Sequence, residues 1–184
     1  HGRSRIGYAW ALIEPFAIVV MISLLFSGFL GGRRVSYDLG IFYVLGVVNY
    51  QYFRHASHFI ALALEANGPL FNYPSVHEFD AVLGRFILDT LTYLVITLLM
   101  IGFIWIVFGA IGPAHPEWMF LSFFGSGLLA LGVGMNLAAM QRRFQITVQI
   151  WGLIATPLFF FSAVLHSAAA VPTNYQKYLL LNPL

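Results

Sequence analysis

Two long uncharged runs joined by a short polar knot limit what this chain can fold into more than any other feature. Trp118–Met140 is 23 residues and Ile146–Leu165 is 20 residues without a charged side chain, and only Gln141–Arg142–Arg143–Phe144–Gln145 lies between them. A helix needs about 20 apolar residues to cross the hydrocarbon of a bilayer. The pair therefore reads as two membrane spans joined by a tight connection. Phe86–Ala110 is a third long run, interrupted only by Asp89, and Pro15–Leu30 is a shorter one preceded by Glu14. Residues 39–66 are also apolar for most of their length but carry Arg54, His55 and His58.

The remaining composition agrees with this reading. The chain is 60% hydrophobic and 9% charged, where soluble domains carry about a quarter charged residues. Nine Lys/Arg against seven Asp/Glu, net +2, cannot form the dense basic surface that neutralises a phosphate backbone, so nucleic acid is excluded as a partner. With no cysteine there is neither a disulfide framework nor a thiolate metal site. The expectation is an all-α, polytopic integral membrane protein forming one transmembrane domain over 1–184, with spans at 15–30, 39–66, 86–110, 118–140 and 146–165.

Five spans place alternate connections on opposite sides. Arg3, Arg5, Arg85, Arg142 and Arg143 fall on one side, and Arg33, Arg34 and Lys177 on the other. The excess of positive charge assigns the amino end to the cytoplasm. The start at His1 and the stop at Asn182–Pro183–Leu184 read as the edges of a trimmed piece, with a sixth span expected beyond the end.

The connections carry their own signals. Residues 1–14 combine Arg3 and Arg5 with Tyr8 and Trp10, the mixture expected of a helix lying in the membrane interface or of an aromatic anchor at the start of the first span, and Pro15 suits the first turn of the helix that follows. Asn67–Gly68–Pro69 breaks the second span and Pro74 marks a second break. Ser75, three residues before Glu78, fits a capping box opening a short helix over 75–84. Val76, Phe79 and Leu83 share one face of that helix, with His77 and Asp80 elsewhere. Such a helix either floats at the lipid surface or docks into a soluble partner. The 109–118 connection, with Pro113 and Pro116, is a rigid structural turn. The last piece, His166–Leu184, holding Pro172, Asn174 and Tyr175, suggests a short or re-entrant element at the outer face.

A charge at the bilayer centre costs at least ~2.5 kcal/mol, so Arg54 needs a reason. At helical spacing Tyr43, Tyr50, Arg54, Ser57, His58, Ala61 and Glu65 fall on one side of the second span. Ile41, Leu45, Val48, Tyr52, Phe59 and Ala63 fall on the other, as a lipid-facing or packed side. The first side suits a hydrated path, although an Arg54 snorkelling to the interface explains it as well. In the fifth span Gln145, Gln149, Gly152 and Thr156 recur along one face before Pro157, which fits interhelical hydrogen bonding as well as a pore. Ser126, Ala130, Gly134 and Ala138 form a small-residue ridge suited to close helix packing. Neither a phosphate-binding loop nor a two-histidine zinc helix occurs. The cluster His77–Glu78–Phe79–Asp80 reads as a capped helix rather than a metal site. The chain itself is not expected to be an enzyme.

Several pieces in this order resemble one family: Gly7–Tyr8–Ala9–Trp10–Ala11–Leu12–Ile13–Glu14–Pro15, the aromatic second span ending in Asn67, Tyr73–Pro74–Ser75–Val76 with Asp80, and Asn182–Pro183. Together they resemble the ABC-2 (type V exporter-like) permeases that export polysaccharide, and most closely the capsular polysaccharide permeases of Gram-negative bacteria. The resemblance implies a six-span half-transporter in the bacterial inner membrane, working as a homodimer above a cytoplasmic ABC ATPase dimer. That ATPase would use ATP and Mg, and this chain would bind no cofactor. The substrate would be a capsular polysaccharide or lipid-linked glycan, with periplasmic and outer-membrane export proteins and membrane lipids as further partners. The resemblance makes 75–84 a coupling helix, with Tyr73, Ser75, Val76, His77, Glu78, Phe79 and Asp80 facing the ATPase, and 171–182 an outer re-entrant element. The candidate path residues are Tyr43, Tyr50, Phe53, Arg54, His58, Gln149, Phe159 and Phe160, aromatic faces for sugars with one cation for an acidic group. The alternatives are an O-antigen or teichoic-acid exporter, or a membrane enzyme that modifies glycolipids with His55, His58 or Asp89 as acid–base groups.

Overall fold

A computed structural model describes residues 37–108 and 116–162, together with Ile13, Ala17, Ile18 and Met21. The expected interfacial helix at 1–14, the span at 15–30 and the re-entrant element at 171–182 lie outside the described residues, apart from those four positions. The described part is helical throughout: α1 (Tyr37–Ala66), a short 3-10 turn (Gly68–Asn72), α2 (Glu78–Phe108), α3 (Pro116–Gln141) and α4 (Thr147–Phe161). By length and composition, two helices in it can cross a membrane, Glu78–Ile106 and Pro116–Gln141, while Thr147–Phe159 is a shorter apolar helix.

α1 is the axis of the bundle. It packs most extensively on α3, then on α2, and touches α4. Its residues are buried on more than one side: Val48, Tyr52, Ala56, Ile60 and Ala63 on one, Val47, Tyr50, Phe53, Ser57 and Ala61 on the other. The side left open between lipid and packing is therefore a packed side. Phe123, Gly127, Ala130, Gly134, Ala138 and Gln141 form the buried stripe of α3. The ridge passes through Gly127 rather than Ser126, which is only half-buried. Gly127 lies beneath the Tyr52 ring, where a Cβ would come within 2.5 Å of its hydroxyl. At Gly134 a Cβ would come within 2.7 Å of Ile60. Small residues here let the two backbones approach closely, which is how helices associate in lipid.

α2 buries a stripe at three- and four-residue spacing, Val82, Asp89, Tyr93, Ile96, Met100 and Ile104, and exposes Ile87, Leu88, Leu91, Val95, Leu98 and Leu99. An exposed face that apolar suits lipid or a further protein surface.

The connections differ in detail from expectation. Asn67 ends α1 by donating from both its backbone N–H (3.2 Å) and its side chain (2.8 Å) to the Ala63 carbonyl. The chain then turns through Gly68–Asn72. The expected helix over 75–84 is not a separate element. Helix begins at Glu78 and runs unbroken to Phe108, because no Gly-Pro break follows and Gly84 alone costs a helix only about 1 kcal/mol. The cap is also shifted: the Asp80 carboxylate accepts from the His77 backbone N–H at 2.8 Å, so His77 and Asp80 make the contact assigned to Ser75 and Glu78. Glu78 is thereby available to pair with Arg142 of the knot at 2.5 Å. In the knot, buried Gln141 accepts from the Val148 N–H (3.1 Å) and donates to the Gln145 carbonyl (3.1 Å), so the last residue of α3 caps the start of α4.

The ridge makes a direct prediction. Gly134→Val forces α1 off α3, and overpacking of this kind costs about 1–3 kcal/mol. The detergent-purified protein should melt several degrees lower. Gly132→Ala, where a Cβ meets nothing within 4 Å, should leave the melting temperature unchanged or raise it.

Candidate functional site

Tyr50, Arg54 and His58 are four residues apart on α1, so they project along one line of the helix. Two cavities open along this line and Arg54 lines both. The first, about 190 Å³, lies on the Tyr37 side of Arg54 and is lined by Ile18, Val47, Tyr50, Gln51, Arg54, Ala155, Thr156 and Phe159. The second, about 280 Å³, lies on the Ala66 side and is lined by Arg54, His55, His58, Phe59, Tyr93, Trp151 and Gly152.

The first cavity is fixed by Tyr50. Its hydroxyl donates to the Ala155 carbonyl of α4, and its ring meets Phe159 edge-on with centroids 5.1 Å apart. A buried phenol needs a partner for its hydroxyl, and this one finds it on the facing helix. The wall of the second cavity is built from Trp151. Its indole Nε1–H donates to the Ser57 hydroxyl at 3.1 Å, and Ser57 in turn donates to the Arg54 carbonyl at 3.1 Å. Phe53 packs its ring edge-on to Trp151 at 6.0 Å. The ring of His58 stands edge-on to Phe59 at 5.2 Å.

Among the described residues, the lining of the second cavity includes Arg54 and two histidines, His55 and His58, and no carboxylate. Among the described residues, the acid beside His55 is Asp89. It is 1% exposed and accepts two hydrogen bonds from Arg85, at 2.9 and 2.8 Å. Its other neighbour is the His55 Nδ1 at 3.6 Å. Arg85 also lies over the Phe59 ring, 4.2 Å from the centroid. The arrangement offers the Arg54 guanidinium and flat aromatic faces along one wall, which can pair with an anionic group and stack on a ring.

Of the expected path residues, Tyr50, Arg54, His58 and Phe159 line these cavities, and Phe53 packs behind them as support. Gln149 lies outside both. It is exposed, and its amide nitrogen donates to the Gln145 and Ile146 carbonyls (2.9 and 3.0 Å). The helical face of α4 that reaches α1 instead carries Trp151, Gly152, Ala155 and Phe159. Tyr43 and Phe160 are helical, but their side chains lie outside the described residues. Sequence reasoning missed Trp151 and the Arg85–Asp89 pair as parts of this region. The i,i+4 spacing of Arg85 and Asp89 at the start of an apolar run was the available signal.

Far along α1 and α2 from these cavities, the expected coupling residues lie together near the knot. Tyr73, Ser75, His77, Glu78, Phe79 and Asp80 are exposed and Val76 is half-buried. Tyr73 is 63% and Phe79 52% exposed, with Leu70 also open to solvent. Apolar side chains beside charged ones, in a turn rather than on the span, form a surface with the composition of a contact rim.

The role of Tyr50 can be tested directly. Tyr50→Phe removes one hydrogen bond and should cost about 1 kcal/mol. Tyr50→Ala also removes the ring against Phe159 and should cost about 3–5 kcal/mol. Chemical unfolding of the two purified variants measures the difference.

No protein-family model matches the chain. Curated relatives do. The polysialic acid transport protein KpsM of Escherichia coli is 28% identical over 185 residues, covering 100% of this chain and 71% of that protein. The capsule polysaccharide export inner-membrane protein CtrC of Neisseria meningitidis serogroup B is 24% identical over 188 residues, 100% of this chain and 69% of its own length. BexB of Haemophilus influenzae, carrying the same description, is 21% identical over 184 residues, again 100% and 69%. Over its whole length, this chain is therefore a homologue of capsule polysaccharide export inner-membrane proteins.

Proposed function

We propose that this chain is the permease subunit of an ATP-driven exporter of the ABC-2 type, which carries capsular polysaccharide across the bacterial inner membrane. The observation that carries this reading is the full-length similarity to capsule export proteins, joined to a cation-and-aromatic wall within a helical bundle. Two copies of the chain form the path, and an ABC ATPase dimer binds the exposed turn around Tyr73–Asp80. The ATPase supplies ATP hydrolysis with Mg, and this chain contributes no catalytic group. The path of each copy runs along Tyr50, Arg54 and His58. Stacking faces hold successive sugars weakly, and Arg54 pairs with an acidic sugar or a lipid-linked phosphate. A chain of sugars then moves past a row of shallow contacts instead of being trapped in one deep pocket. The amino end faces the cytoplasm.

The reading as a membrane enzyme has less support. Of its candidate acid–base groups, His55 and His58 line the second cavity, whereas Asp89 is held by Arg85 and lines neither.

Two measurements test the export reading. The full-length protein should copurify with a stoichiometric ATPase whose hydrolysis rises when lipid-linked capsule glycan is supplied. Arg54→Leu should lower surface polysaccharide at least tenfold in a deletion strain while the complex still assembles. Unchanged export in that variant would remove Arg54 from the path.

A further inference from the structure

Helix α2 starts at the exposed turn and, without a break, becomes the partner of the cavity wall. From Asp80 to Asp89 is nine residues of continuous helix, about 13 Å at 1.5 Å per residue. At that point two of its side chains grip α1. The Arg85 guanidinium lies over the Phe59 ring at 4.2 Å, and Asp89 sits 3.6 Å from the His55 Nδ1. The carboxylate is 1% exposed and anchored twice by Arg85, so the grip is stiff on the α2 side. On the α1 side, His55 and Phe59 both line the second cavity. The His55 Nδ1 is buried with no hydrogen-bond partner in this arrangement. A buried polar atom lacking a partner calls for an explanation, and a contact that closes fully in a second arrangement of the two helices supplies one.

We propose that Arg85 and Asp89 are positioning residues that carry movement of the exposed turn to the cavity wall through His55 and Phe59. The inference rests on the export reading above and identifies how the path of that exporter is driven. A push on the turn moves α2 as a rigid rod. The Arg85–Asp89 pair shifts with it against His55 and Phe59, and the second cavity changes shape. The pair touches no sugar and no nucleotide. Losing it should separate hydrolysis from transport without abolishing either protein.

The test uses the full-length chain with its ATPase, scored in two ways: surface polysaccharide in a deletion strain, and ATP hydrolysis by the purified complex in lipid vesicles. Asp89→Asn should lower surface polysaccharide at least tenfold while hydrolysis stays within twofold of wild type. Arg85→Lys keeps the charge beside Asp89 but loses the paired hydrogen bonds and the flat contact with Phe59. It should give a several-fold loss of export, again with hydrolysis kept. If Asp89→Asn does not assemble with the ATPase, Arg85→Lys decides alone. Export and hydrolysis falling in equal proportion, or export at wild-type level, would overturn the proposal. If the wild-type chain itself restores no polysaccharide or brings down no ATPase, the export reading fails instead.

Discussion

Lipid tails are as apolar as leucine, so helices inside a bilayer gain little by hiding hydrocarbon from their surroundings and associate mainly where they fit closely. In this protein the fit is the α1–α3 contact. Gly127 and Gly134 bring the backbone of α3 under Tyr52 and Ile60, and Phe123 stacks on Tyr52 with ring centroids 4.7 Å apart and planes 11° from parallel. Once that contact is made, α1 is held in the middle of the bundle, with α2 on another side and α4 closing over part of what remains.

A helix enclosed in this way must satisfy its polar side chains within the protein. Those of α1 reach across to every neighbour. Tyr52 donates to the Thr90 hydroxyl of α2 at 2.6 Å, since Thr90 spends its own hydrogen on the Phe86 carbonyl. Asn49 donates to Ser122 of α3 at 2.7 Å. Ser57 accepts from Trp151 of α4, and Tyr50 donates to the Ala155 carbonyl. These contacts fix the rotation of α1 about its own axis. That rotation is what turns Tyr50, Arg54 and His58 toward the two cavities.

The knot end of the bundle is tied differently. Gln141 joins α3 to α4 by capping, and Glu78 joins the start of α2 to Arg142. Both partners of the second pair are about half exposed, so it contributes about 0–1 kcal/mol and directs geometry more than it stabilises. The exposed turn from Leu70 to Asp80 is thus bound to the knot on one side. On the other side it continues into α2, a rod that reaches the cavity wall.

Much of this was legible in the amino-acid order. Apolar length predicted helices where α1 to α4 lie, Asn67–Gly68–Pro69 predicted the end of α1, and the four-residue spacing of Tyr50, Arg54 and His58 picked out a shared line. These follow from local rules: a helix of given period displays its residues in a known sequence around its axis, and a proline or glycine breaks it for local steric reasons. Other features depended on neighbours that no local rule supplies. Whether the ridge of α3 ran through Ser126 or Gly127 was decided by where the Tyr52 ring came to rest. Whether a helix began at Ser75 or Glu78 was decided by which carboxylate reached a free N–H. Gln149 lost its place to Trp151 because one face of α4 meets α1 and another does not. Sequence by itself determined a helical membrane protein with a polar line on one helix, because periodicity and apolar length are properties of the chain. Only the tertiary structure decided that this line borders cavities and that Arg85 and Asp89 grip its far side, because those contacts join residues of different helices, beyond the reach of any one helix's periodicity.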